Sequence, residues 1–173
     1  MKRHHPLLLL TASLAAVAPI KAQPNDAPVA QCQHSRQAKD GEMQHRGNEA
    51  MGFDQGKTRH HFLLTQQGGM ISVEANDLKD TESRDQVRLH LEHISRAFAA
   101  GDFDIPMFVH GKTPDGVEIM KARKDQIRYR FEATGVGGRV VITSTNSEAV
   151  KAIHEFLTFQ IREHSTGDDL VVR

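Results

Sequence analysis

The chain of 173 residues has no tryptophan, one tyrosine and a single cysteine, and its 22 basic residues balance its 22 acidic ones. Each shortage excludes something. One cysteine cannot form an intramolecular disulfide, so the fold must hold by packing. Cys32 lies between Gln31 and Gln33 in a polar stretch, and in an oxidising compartment such a thiol is paired between chains, bound or buried. The balanced charge argues against nucleic acid, whose recognition calls for a basic stripe. Beyond the first residues there is also no long apolar run, so no membrane span is expected once those residues are removed.

Those first residues have their own pattern. A basic start from Met1 to His5, an apolar run from Leu7 to Ala18 and the small Ala22 before Gln23 read as a secretory signal peptide over residues 1–22. Export to the periplasm or the medium follows. Residues 23–50 are polar and are expected to be a flexible segment, and residues 51–173 to form one α+β domain.

Within that domain one pattern occurs twice. Arg59 to Thr65 reads as a strand, Gln67-Gly68-Gly69 as a turn and Met70 to Ala75 as the returning strand. Thr81 to Ala100 follows as a helix, with Val87, Leu91, Ile94 and Phe98 at the spacing of a buried stripe and Gly101 closing it. The second copy begins at Gln126, where Ile127, Tyr129 and Phe131 alternate with charged residues, turns at Gly135 to Gly138 and returns over Arg139 to Ser144. Asn146 or Ser147 then caps a second helix that runs to about Glu163. Two β-β-α units predict a four-stranded antiparallel sheet with both main helices on one face. An insertion, Asp102 to Lys124, separates them, and Thr113-Pro114 predicts a short helix over Asp115 to Arg123.

What the chain has in quantity is histidine, eleven of them, with six methionines. Imidazole is the commonest protein ligand of transition metals and thioether a soft one. His90 and His93 stand three apart on one helix flank, and the insertion delivers Met107, His110 and Met120. If it folds over that flank, these five make a mixed site that suits copper before zinc. His93 exposed to solvent and the methionines as core filler are the plain alternatives. Superposing the two helical stripes places Val150, His154, Leu157 and Ile161 inward, so His154 would occupy a core position and either bond a backbone carbonyl or the Tyr129 hydroxyl, or line a cavity. His60 shares a strand face with Phe62 and Leu64 and would enter the same interior. A haem or small ligand in that histidine-lined cavity is the competing reading. His164 at a helix C-terminus has a local explanation, because imidazolium there favours the macrodipole.

No catalytic motif is present. Gly135-Val136-Gly137-Gly138 lacks the spacing of a dinucleotide fingerprint, and His90-Leu91-Glu92-His93 is one residue short of a zinc-protease helix. The segments Met51-Gly52-Phe53-Asp54-Gln55, Lys57 to Phe62, Gly101 to His110 and Ala152 to Leu157 through Thr166-Gly167-Asp168 resemble a family of small exported bacterial proteins of unassigned role, some of which carry an aspartate carbamoyltransferase label. The resemblance covers about Met51 to Val172. That enzyme's Ser-Thr-Arg-Thr-Arg phosphate-binding run is missing. Finally, Phe156 and Phe159 make the second helix apolar nearly all round, which predicts a homodimer through that helix or a sheet edge, the metal-free alternative being a dimeric interaction module.

Overall fold

The computed structural model describes residues 41–173. The signal peptide, Cys32 and His34 lie outside the described residues. A helix α1 occupies residues 41–51, within the segment expected to be flexible. Arg46 ties it down by donating from Nε to the Val109 carbonyl at 2.9 Å, and Gln55 Nε2 donates to the Gln44 carbonyl at 3.0 Å.

The chain continues as β1 (Thr58–Thr65), β2 (Gly68–Ala75), α2 (Thr81–Ala100), α3 (Asp104–His110), α4 (Val117–Ala122), β3 (Ile127–Ala133), β4 (Gly137–Ser144) and α5 (Ser147–Glu163). The sheet is four-stranded and antiparallel, as the doubled pattern predicts, and its strand order is β1-β2-β4-β3. Phe62, Ile71, Val140 and Phe131 form one cross-strand row on the helix-covered face. Caps fix the helices. Asp80 accepts from the Ser83 amide at 3.0 Å to start α2, and Gly101, at φ 84°, stops it. Asn146 accepts from the Glu148 and Ala149 amides to start α5.

Each helix packs chiefly on the hairpin of the other unit, α2 on β3 and β4, α5 on β1 and β2. Two strand glycines permit this close approach. A Cβ on Gly69 would stand 2.2 Å from Leu157 Cδ1, and one on Gly138 2.7 Å from Phe131 Cε2 and 3.3 Å from Leu91 Cδ1. The core between the layers is dominated by phenylalanine, with Phe98 stacked on Phe103 at 4.3 Å and Phe156 edge-on to both.

The insertion departs from expectation twice. Ahead of the one short helix predicted there it forms a second, α3, opening at Asp104, where Pro106 falls in the first turn and its missing N–H costs no bond. Helix α4 begins only at Val117, because Gly116 takes φ 79° immediately before it, with its Cα so near α5 that a Cβ would meet the Ala152 carbonyl at 2.1 Å. Helix α3 places His110 edge-on to Phe159 at 5.0 Å, and Lys112 sets its ammonium 4.7 Å from the same ring. The outward phenylalanine of α5 is therefore covered within one chain, while Lys151, Glu155 and Arg162 on the remaining face stay exposed.

Candidate functional site

The phase of α5 differs by one residue from the sequence expectation. Its buried stripe is Ala149, Ile153, Phe156 and Gln160, flanked by Ala152, Leu157 and Ile161. Both stripes have identical spacing and similar apolarity, and the covering of the second flank by α3 and α4 decides between them. His154 consequently sits at the edge of the helix, partly exposed, and donates from Nε2 to the Thr65 carbonyl at 2.9 Å. It lines none of the interior cavity. Its partner is a backbone carbonyl, one of the two expected, and not Tyr129.

Continuing the observed stripe by four residues from Gln160 brings His164 inward, and there four imidazoles meet. His60 on β1 stacks on His164 at 5.1 Å between centroids, and His110 from α3 stands edge-on to His164, also at 5.1 Å. His90 on α2 is edge-on to Phe53 at 5.4 Å, and Phe53 in turn stacks on His60 at 6.0 Å. All four rings line one cavity of about 60 Å³ with Met51, Phe62, Phe98, Val109, Phe156 and Gln160 among its other walls.

Burial sets the charge state of these rings. It pushes His60 down to about 4, with the neighbouring His61 adding to the effect. It pushes His90 down to about 3, with His60 and His93 contributing. His164 lies well below the ordinary range for the same reason, reinforced by His60 and His110. His110 is lowered by burial too, against the opposing pull of Gln160 and Glu163. Neutral imidazoles offer one lone pair each at neutral pH.

His110 shows where one such lone pair is. With the amide oxygen of Gln160 at 2.9 Å, His110 Nε2 must be the protonated nitrogen and donate. Nδ1 is then an acceptor, buried and without a hydrogen-bond partner, and the Gln160 amide nitrogen is likewise unpartnered. The nearest acidic oxygen to Nδ1, Glu163 Oε2, is 4.0 Å away, while Oε1 of that carboxylate accepts from Lys112 at 2.9 Å.

The five residues that sequence spacing assigned to a metal site are not brought together. His90 and His110 reach the cavity. His93 stays exposed on α2, because three residues on it stands about 60° further round the helix from the buried stripe than His90, and only His90 borders that stripe. Met107 faces α4, where its sulfur lies 3.9 Å from Lys121 Nζ. Met120 is wholly buried in the phenylalanine core. Among the described residues no group of three or more His, Cys, Asp or Glu side chains stands in a geometry ready to hold an ion. The four rings are packed face and edge as an aromatic cluster.

His164 is the member that sequence reasoning set aside. A polar Gln160 in an otherwise apolar stripe, with histidine one turn further on the same face, is the signal that points to it. Outside the cavity, His61 points to the opposite sheet face and donates from Nδ1 to Asp168 Oδ1 at 3.0 Å, while Asp168 Oδ2 accepts from the Phe62 amide at 2.8 Å. That carboxylate fastens the C-terminal segment to the free edge of β1, and further along Arg173 exchanges backbone bonds with Leu64 and Gln66. None of the helices among the described residues is long and apolar enough to cross a membrane. No family model matches the chain, and neither does any curated protein or solved structure at the level of similarity required.

Proposed function

We propose that this is an exported protein, periplasmic or secreted, that binds a single transition-metal ion, copper before zinc, in the imidazole cavity. His60, His110 and His164 are the ligands, and His90 is the fourth nitrogen within reach. The observation that carries the reading is His110. A ligating histidine typically gives its second N–H to an oxygen that fixes the tautomer and raises ligand basicity, and Gln160 Oε1 occupies that role while Nδ1 is left buried and unpaired. A buried acceptor without a partner costs on the order of 1–3 kcal/mol, which coordination would recover.

Size supports an ion over a larger ligand. Pockets for drug-sized molecules run from about 300 to 1,000 Å³, and the cavity of about 60 Å³ has room for little more than an ion and a water. Haem would require the phenylalanine core to open. Binding an ion requires only that the rings turn out of their present stacking. A homodimer through the exposed β3 edge is a separate proposal that this site does not need.

Titration of the protein lacking residues 1–22 with Cu(I), Cu(II) and Zn(II) tests the reading. One equivalent bound by the wild type, lost in His110→Ala and in His164→Ala with the circular dichroism spectrum retained, is the expected result. No binding by the wild type, or binding unchanged in both variants, overturns it.

A further inference from the structure

Helix α1 carries two thioethers, Met51 in the wall of the cavity and Met43 in grooves beside it. Met43 and Met51 lie eight residues apart and so share a face of the helix, with the buried Gly47 midway between them. Gly47 lets the Gln55 side chain close on the helix, since a Cβ there would meet Gln55 Nε2 at 2.0 Å. Met51 lines the imidazole cavity itself. Met43 lines two surface grooves beside it, one of about 460 Å³ shared with His110 and Glu163, the other of about 240 Å³ shared with His164. One thioether therefore stands outside the imidazole cluster and one against its interior.

We infer that the ion is cuprous, and that the Met43 and Met51 thioethers of α1 receive it and pass it to His110 and His164. The inference rests on the metal reading of the cavity. Charge is the first argument. Among the described residues, no side chain lining the cavity is a carboxylate, and Glu163 outside it is already engaged by Lys112. Imidazole and thioether bring no negative charge, so the ion keeps its own. Desolvation cost rises with the square of charge, so a divalent ion in this apolar enclosure costs roughly four times as much as a monovalent one. Ligand softness is the second argument. Thioethers select Cu(I) over Zn(II) and Cu(II), so one thioether in the cavity wall and another in the grooves beside it favour that ion, although Glu42 and Glu163 also line the outer groove. The ion enters and leaves as Cu(I), and no electron changes hands.

The test is competition under anaerobic conditions between the protein lacking residues 1–22 and a chromophoric Cu(I) chelator, with parallel Zn(II) titrations. The variants are Met43→Leu, Met51→Leu and the double substitution, which conserve volume closely enough to keep the fold. The wild type is expected to prefer Cu(I). The double variant is expected to lose Cu(I) affinity or uptake rate by about tenfold or more while Zn(II) binding and thermal unfolding stay as in the wild type. Equal Cu(I) behaviour in wild type and double variant, with one equivalent still bound, overturns the thioether route and leaves the imidazole site standing. Absence of any bound metal in the wild type overturns both.

Discussion

Two aromatic clusters lie side by side between the helices and the sheet, built to similar ring spacings from different residues. Phe98, Phe103 and Phe156 meet at 4.3 to 5.9 Å with stacked and edge-on contacts. His60, His110 and His164 meet at 5.1 Å with one stacked and one edge-on contact. The phenyl rings present nothing that water could satisfy, and their burial is net stabilising at about 25 cal/mol per Å². The imidazole rings bring two nitrogens apiece, and the enclosure provides partners for only some of them. Equal geometry thus separates a part of the core that exists for stability from one that carries an unspent chemical capacity.

The contrast can be broken first on the phenylalanine side. Phe103 is fully buried, and Phe103→Ala is expected to cost about 3–5 kcal/mol, read as a large drop in urea midpoint. Acid attacks the other side. An imidazole whose folded value is depressed contributes its full stability above the unfolded value of 6.5, and that contribution is lost as pH falls from 6.5 towards the folded value. For His60, lowered to about 4, the loss reaches about 3 kcal/mol at and below pH 4, so the metal-free protein should weaken steeply between pH 6.5 and 4 in chemical unfolding. A flat profile over that window would contradict the neutral cluster.

His164→Phe makes one cluster more like the other. The ring stacking on His60 and Phe62 is retained and a depressed titrating group disappears, so stability at pH 7 should change by less than about 1.5 kcal/mol, the acid sensitivity should shrink, and metal uptake should vanish. The smallest effect is expected at His93, exposed on α2. His93→Ala should shift stability by no more than about 0.5 kcal/mol and leave metal titration untouched. Loss of binding there would restore the flank site that sequence spacing suggests.

Element order, turns and the four-stranded antiparallel sheet were legible because each rests on a local period: alternation in Ile127 to Phe131, a regular stripe from Val87 to Phe98, glycine at each reversal. The site was legible only in part, for one physical reason. Helix α5 offers two stripes of equal spacing, Ala149-Ile153-Phe156-Gln160 and Val150-His154-Leu157-Ile161, and nothing local ranks them. The decision belongs to α3 and α4, whose covering of the far flank is a tertiary fact. His154 and His164 exchanged roles with that single step of phase. His60 was readable from strand alternation alone, and His90 from its place beside a stripe that has no rival.

The crossing of the units, each helix lying on the other unit's hairpin, has a consequence for timing. Synthesis runs from the N-terminus, and His164 lies just past α5, which follows every other wall of the cavity in chain order. His60 and His90 leave the ribosome long before the helix that must close over β1. The cavity has no final wall until α5 is complete, so no partly made chain can retain what the finished protein holds. Whatever occupies this cavity is held only after α5 has closed over β1 and β2.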